Sequence, residues 1–466
     1  MPPVRFSVFG ISGLRGKVGE EITPSSVAGV AAAFSGSIDA GAVAVGRDTR
    51  PSGGMLAAAV RAGLMSAGRD VVDLGVCPTP TVLHHVRSRR LSGGIVVTAS
   101  HNPEEWNGMK FVGPGGRFLS PGEFGRFRDR VEGKPGALAA WNGIGRGEEY
   151  GAAIADHVRA IAGHELFATR AAVLKVGIDA VNGAASRAGP QLVEAMGAIP
   201  FTLNCEAAPE ELLEGFPRRP EPTPGHLEGL SRLVREHGLD LGIAFDPDAD
   251  RVGLVDETGT PLSEERTLCL ACLYLLPRFR EERTGDATES PPVVVNLSTT
   301  RAVEDICARE EVKVERTPVG EAAVVARMME AGSLLGGEGN GGVILPAVNS
   351  TRDGMVAAAS AIALLASSGD SLSEIAASIP SYRSAKLSVS MSRAEFDDAA
   401  GRLERLFPDA GLDRKDGLRF DMPGAWVHVR PSNTEPIVRV VVESAEDEPG
   451  RLAGTVRDAL KGKGAA

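Results

Sequence analysis

Along most of the chain, short apolar runs alternate with longer stretches of helical periodicity. Ala42-Val-Ala-Val-Gly46 predicts a strand, 52–66 a helix, Val71-Val-Asp-Leu-Gly75 a strand, 80–89 a helix, and Gly94-Ile-Val-Val-Thr98 another strand. Strand, helix and strand at this spacing imply a mainly parallel sheet covered by helices. The rhythm returns in Leu174-Lys-Val-Gly-Ile-Asp179, a helix over 187–196, and Leu241-Gly-Ile-Ala-Phe245. It returns again in Pro292-Val-Val-Val-Asn-Leu297, a helix over 300–308, and Lys313-Val-Glu-Arg316. Three such units with little residue identity between them predict three related α/β domains. The remainder differs. Leu387-Ser-Val-Ser-Met391 alternates, 393–406 and 449–461 read as helices, and 425–430 and 437–443 read as strands. That pattern predicts an α+β domain with a small, antiparallel sheet. Pattern breaks near 153, 260 and 375 divide the chain into 1–153, 154–260, 261–375 and 376–466.

With 466 residues the chain exceeds what one hydrophobic core supports. Domains of roughly 150 residues give about three, with four allowed. Charged residues at 24% and hydrophobic ones at 43% describe an ordinary globular protein. The net charge of −11 argues against a general nucleic-acid binder, yet leaves room for a local basic pocket for a phosphorylated metabolite. The five cysteines are scattered, so no disulfide framework is expected. Cys269 and Cys272 form a CxxC without a second pair to complete a zinc site, and read as buried helical thiols. No apolar leader opens the chain, and its longest near-apolar run, 355–366, is too short to span a bilayer. The expectation is a cytoplasmic protein, monomeric or homodimeric, with no nucleic-acid or membrane partner.

Four segments carry chemistry. The first is Val97-Thr-Ala-Ser100-His101-Asn102-Pro103, in the loop beyond the carboxyl end of a strand, where α/β sheets bind ligands. Ser100 lacks the flanking glycines of a hydrolase elbow. Alone it reads equally as a turn serine capping a helix. Lys110 follows in Asn107-Gly-Met-Lys-Phe111, one of nine lysines against 41 arginines. The second segment, Asp246-Pro-Asp248-Ala-Asp250-Arg251, sets three carboxylates at alternate positions, a pattern that clamps a hard divalent cation. An EF-hand would also place a carboxylate at Glu257, but Arg251 occupies the position of its turn glycine. Without a cation the three carboxylates repel one another. A serine able to carry phosphate, beside such a site, is the core of a phosphoryl-transfer enzyme.

The third segment is Gly336-Gly-Glu338-Gly-Asn340-Gly-Gly342. A strand-like run follows it, so it is not a dinucleotide fingerprint. Glu338 and Asn340 could hold vicinal sugar hydroxyls while the glycines allow close backbone approach; a plain glycine-rich hairpin is the alternative. The fourth, Arg430-Pro-Ser432-Asn433-Thr434-Glu-Pro436, joins a permanent cation to short donors, as in a phosphate nest, with Arg439 as a second cation. A polar turn between strands is its alternative. No Walker A sequence is present.

These four segments in this order resemble the α-D-phosphohexomutase family. Phe9-Gly-Ile-Ser-Gly-Leu-Arg15-Gly16 and Gly46-Arg-Asp-Thr-Arg-Pro-Ser-Gly53 are similar to its amino-terminal signatures. The resemblance implies four domains around a central cleft, three of related α/β fold and one α+β. It implies a phosphoserine at Ser100, and Mg²⁺ held by Asp246, Asp248, Asp250 and an oxygen on Ser100. Lys110 becomes the general acid or base, with Arg15 and His101 assisting. Arg251, Thr317, Gly320, Glu338 and Asn340 would hold the sugar. Arg430, Ser432, Asn433, Thr434 and Arg439 would hold the non-reacting phosphate. The expected reaction interconverts hexose 1-phosphate and 6-phosphate through a hexose 1,6-bisphosphate, which is also the activator. Many bacterial members carry serine and histidine where this chain has Asn340-Gly341-Gly342. That variant resembles archaeal-type members and leans toward glucosamine phosphate, ahead of mannose and glucose phosphates. A phosphoserine-dependent phosphatase and a non-catalytic sugar-phosphate sensor are the competing readings. The first would not need the second phosphate nest; the second would not need Ser100, Lys110 and all three aspartates.

Overall fold

The computed structural model describes residues 6–133, 138–169, 173–206, 213, 215–281, 290–432, 436–446 and 448–462. Its strands form four sheets of eight, four, four and five strands. The second sheet runs Ile199–Leu203, Lys175–Asp179, Leu241–Phe245, Val252–Asp256. Its first three strands are parallel and the last antiparallel. The third sheet repeats this with Val314–Thr317, Val293–Asn296, Gly336–Glu338 and Gly342–Ile344. The same order and sense appear inside the first sheet as Val71–Val76, Val43–Arg47, Gly93–Val97 and Trp106–Gly113. Gly13–Lys17 and Val8–Gly10 extend that sheet beyond Trp106–Gly113. Three α/β units with one topology are therefore present, as the recurring rhythm predicts. The fourth sheet forms the carboxyl-terminal unit, where five antiparallel strands carry the helices Arg393–Leu406 and Pro449–Leu460.

This topology positions chemistry. In each α/β unit the connection from the third strand to the antiparallel fourth is the loop that holds a candidate motif. Ser100 lies between Gly93–Val97 and Trp106–Gly113, the three aspartates between Leu241–Phe245 and Val252–Asp256, and Asn340 between Gly336–Glu338 and Gly342–Ile344.

Apolar packing holds the second and third units together. One continuous core runs from Val158 to Ile379 and includes Ile178, Phe245, Leu275, Val295 and Ile362. The helix Gly354–Ser368 lies at its centre, capped by Asp353, whose side chain accepts from Met355 N and Val356 N. The carboxyl-terminal unit has its own core, with Leu403, Val427, Val440 and Val456. Cys269 and Cys272 are buried in the helix Glu265–Glu281, as expected. Among the described residues no single helix is long and apolar enough to cross a membrane.

Candidate active site

Ser100 sits at the apex of a tight turn with φ +51, a left-handed conformation uncommon for serine. It is buried, and no helix starts there; the strand Trp106–Gly113 follows, so the capping alternative falls away. The turn is held from behind by Arg50, itself wholly buried. Its guanidinium donates to the carbonyls of Ser100 at 2.7 Å, Asn102 at 2.6 Å, Pro103 at 2.6 Å and Trp106 at 3.0 Å. Asp48 supplies the countercharge at 3.2 Å and accepts from the Thr98 hydroxyl at 2.6 Å. A five-donor fork is the side chain suited to gather so many carbonyls. Ser100 Oγ lies 3.3 Å from His101 Nδ1 and 3.4 Å from Asp246 Oδ2.

The three aspartates are buried and offer oxygens within 4.8 Å of one another. Burial, Asp250 and Asp248 push the Asp246 carboxyl well above its ordinary range. Burial would raise Asp250 too, but Arg352, Lys110 and Arg251 outweigh it and hold it low. Asp248 Oδ1 and Asp250 Oδ1 are buried without a hydrogen-bond partner. Orphaned buried carboxylate oxygens are costly unless something binds them. This donor set, hard oxygens converging with two lacking partners, fits Mg²⁺. Glu257 turns away and accepts from Ser373 N at 3.1 Å, so it is no part of the set.

Lys110 Nζ donates to Asp248 Oδ2 at 2.6 Å and Asp250 Oδ2 at 3.0 Å. Burial favours the neutral amine, but the two carboxylates prevail and raise its pKa. Lys110 is therefore an ammonium here. Beside it, Arg15 donates to Asn102 Oδ1 at 2.9 Å. Arg15 and Lys110 come together because Gly13–Lys17 lies tightly against Trp106–Gly113. At Gly108 a Cβ would sit 2.0 Å from the Leu14 carbonyl oxygen, so only glycine permits that approach. Burial, Arg251 and Arg15 push His101 down to about 2, which leaves its ring neutral.

In the third unit Glu338 accepts from Asn296 Nδ2 at 2.7 Å, Gly320 N at 3.1 Å and Arg352 Nη1 at 3.0 Å. The glycine-rich segment is a hairpin of Gly336–Glu338 and Gly342–Ile344, with Glu338 and Asn340 lining the cleft. Gly341, at φ +87, accepts through its carbonyl from Val252 N at 3.1 Å and ties this loop to the aspartate loop. Thr317 is turned away: its hydroxyl donates to the Pro318 carbonyl at 3.0 Å, and it lines a separate depression with Lys415. In the carboxyl-terminal sheet Arg430 and Arg439 stand directly opposite one another on neighbouring strands. Like charges so placed repel, which favours an anion between them. Arg430 Nε is 3.0 Å from Asp416 Oδ2, but poorly aligned for a hydrogen bond. Asn433 and Thr434 lie outside the described residues.

A cleft of 1670 Å³ opens beside the Ser100 turn and the aspartate loop. Arg15, Lys110, Arg251, Glu338, Arg352 and Arg430 line it, with Gly320, Asn340, Ser432 and Arg439. The residues that sequence reasoning left without a role are Asp48, Arg50, Asn296, Glu321, Arg352 and Asp416. Only Asp48 and Arg50 had a local signal, inside the Gly46 to Gly53 signature.

Family models described as phosphoglucomutase/phosphomannomutase domains I, II and III match residues 7–131, 155–259 and 266–382, and the C-terminal domain model matches 386–457. A probable phosphoglucosamine mutase of Methanopyrus kandleri is 36% identical over 449 residues, 95% of each chain. A phosphoglucomutase/phosphomannomutase of Thermococcus kodakarensis is 34% identical over 457 residues, 95% of this chain and 96% of the relative. A crystal structure of a phosphoglucomutase/phosphomannomutase family protein from Burkholderia thailandensis superposes with a TM-score of 0.84 at 26% identity, covering 98% of this chain and 97% of that one.

Proposed function

The chain belongs to the phosphoglucomutase/phosphomannomutase family and is a phosphohexomutase, a mutase of the isomerase class; from that premise we propose that it works through a phosphoserine at Ser100 and a hexose 1,6-bisphosphate. The observation that carries this reading is the cleft, lined by Arg15 beside the serine turn, Lys110 and Arg251 beside the aspartate set, the Glu338 carboxylate and the facing pair Arg430 and Arg439. A phosphatase would have no use for the last of these, because its product leaves without turning round.

In the first half-reaction the 6-hydroxyl of a bound hexose 1-phosphate attacks phosphorus on Ser100. The O6–P bond forms as the Ser100 Oγ–P bond breaks. In the second half-reaction the bisphosphate has turned over, Ser100 Oγ attacks the 1-phosphoryl group, and the O1–P bond breaks. Each half moves one proton from the attacking hydroxyl to the departing oxygen. Lys110, an ammonium in this setting, gives a proton to the departing oxygen and then takes one from the attacking hydroxyl. Asp246, Asp248, Asp250 and an oxygen on Ser100 would hold Mg²⁺, which when bound neutralises charge on the phosphoryl group. Arg15 and the neutral His101 position the Ser100 turn. Glu338 and Asn340 hold sugar hydroxyls near Arg251 and Gly320. Arg430, Arg439 and Ser432, with Asn433 and Thr434, hold the phosphate that does not react. Thr317 contributes through its backbone, given where its hydroxyl points.

The domain boundaries near 153, 260 and 375 assign one motif to each unit. For the sugar, glucosamine phosphate is favoured. The Asn340-Gly341-Gly342 loop supports it, and so does the name of the Methanopyrus relative; the Thermococcus relative keeps glucose and mannose phosphates in the comparison. Phosphorus NMR of phosphorylated enzyme with Mg²⁺ and each 1-phosphate in turn tests the reading. A 6-phosphate signal, fastest with glucosamine 1-phosphate, is expected. Inorganic phosphate as the only product would contradict it.

A further inference from the structure

Arg352 is a residue for which the reaction above has no role. It immediately precedes Asp353, the cap of the buried helix Gly354–Ser368, and so is anchored at the backbone. Its own N–H donates to Glu321 Oε1 at 2.8 Å. The side chain enters the cleft only a tenth exposed and meets three carboxylates from three segments. Nη1 donates to Glu338 Oε2 at 3.0 Å, Nη2 donates to Asp250 Oδ2 at 2.9 Å, and Nε lies 3.3 Å from Glu321 Oε2. One fork thus spans the carboxylate of the sugar loop and a carboxylate of the aspartate set.

The sugar loop is shaped around it. A Cβ at Gly342 would lie 2.3 Å from Arg352 Cδ. The place where this chain departs from the serine-and-histidine form of the loop is therefore the place where Arg352 passes. No lysine could make the same span, because a single ammonium cannot address two carboxylates in fixed directions.

We propose that Arg352 is a positioning residue that sets Glu338 for the sugar while drawing electron density from Asp250, so that sugar binding gains and Mg²⁺ binding is moderated by the same side chain. This rests on the assignment of Glu338 to the sugar and of the aspartates to Mg²⁺. Removing the guanidinium leaves Glu338 without a charged partner, and sugar affinity falls. It also leaves Asp250 more negative in its effect on a cation, and Mg²⁺ affinity rises. A residue that merely holds the fold together would weaken both.

The test is calorimetric titration of dephosphorylated full-length enzyme with Mg²⁺, and separately with glucosamine, mannose and glucose 1-phosphates. For Arg352→Gln we expect sugar-phosphate Kd to rise about tenfold and Mg²⁺ Kd to fall at least about threefold. For Arg352→Lys, which keeps the charge and loses the fork, we expect the same loss of sugar affinity with Mg²⁺ Kd within about twofold of the parent. Gly342→Ala, which adds only a methyl in the path of the side chain, should also weaken sugar binding. Weaker Mg²⁺ binding in both Arg352 variants, or unchanged sugar affinity in Arg352→Lys, would overturn the proposal. A parent enzyme that binds neither Mg²⁺ nor any of the three sugars would overturn the site assignment and the proposal with it, and would do so before any variant is made.

Discussion

The second and third units differ from the fourth in how they are joined. Between the second and third, the join is a single apolar core threaded by Glu265–Glu281 and Gly354–Ser368. Between the third and fourth it is a set of polar contacts. Glu443, held within its own sheet by Trp426 Nε1 at 2.7 Å, accepts across the joint from Arg301 N at 2.8 Å. Ser298 Oγ meets His428 Nδ1 at 2.8 Å, Val319 N donates to Asp416 Oδ2 at 3.0 Å, and Lys386 donates to Glu264 at 2.9 Å. Apolar burial is lost when such a joint opens, whereas hydrogen bonds can be exchanged for water at small net cost. The aspartate loop and the glycine-rich loop are thus held rigidly to each other, and the carboxyl-terminal sheet is held by contacts that can be remade. For the proposed reaction, in which an intermediate must turn over inside the cleft, that division would be useful: the proposed reacting end would stay fixed while the proposed phosphate-binding sheet released and recaptured the other phosphate.

The largest expected effect breaks the rigid half. Leu275→Ala, in the shared core, should cost about 2–5 kcal/mol and lower the melting of the second and third units together in one calorimetric transition. Separate melting of those two units would show that the shared core does not couple them. Next comes the movable half. Arg430→Ala should weaken sugar-phosphate binding by about 1.5–3 kcal/mol, seen as a raised KM. It should also abolish any slowing of amide exchange in Ala425–Pro431 on binding. Unchanged KM would remove Arg430 from the phosphate site. Glu443→Gln keeps the shape of the polar joint but weakens its bonds, with an expected cost of about 1 kcal/mol. Faster exchange should then appear across Arg383–Ser444 and not across Leu241–Asp256; a uniform rise would mean the joint is not separable.

The smallest effect is on pH. Glu265 lies at the same joint, accepts from Thr300 N at 3.1 Å, and is 3.7 Å from the half-exposed Lys386. Burial raises it to about 8 from 4.5, with Lys386 opposing. The folded chain therefore holds a proton that the unfolded chain gives up, and stability from this group is present below 4.5 and lost as pH rises through 8. Glu265→Gln should flatten the fall in Tm across that window. An equal fall in both proteins would assign the pH dependence elsewhere.

How much of this was legible in the sequence depended on distance along the chain. Val71–Val76 and Leu241–Phe245 announce themselves because a buried parallel strand is a continuous apolar run. Trp106–Gly113 does not, since Asn107, Gly108 and Lys110 interrupt it, Gly108 for the close approach of Gly13–Lys17 and Lys110 to meet Asp248 and Asp250. Gly336–Glu338 is hidden for a similar reason, with two glycines and a buried carboxylate in three residues. The aspartate loop and the Ser100 turn could be read because each concentrates its chemistry within a few residues. Arg352 could not: it meets Asp250 from 102 positions away, and nothing in its neighbours signals that partner. Arg50 likewise reaches Ser100 across 50 positions. Asp416 belongs to a turn with no pattern of its own.

The central claim is that Ser100 carries the phosphoryl group that moves. Phosphopeptide mass spectrometry of enzyme incubated with glucose 1,6-bisphosphate and Mg²⁺ tests it most directly. One phosphate on Ser100 is predicted, exchanged for the substrate's own phosphate when an isotopically labelled hexose 1-phosphate is added, and absent from Ser100→Ala under the same treatment. Turnover with an unmodified Ser100, or retained turnover in Ser100→Ala, would contradict the account.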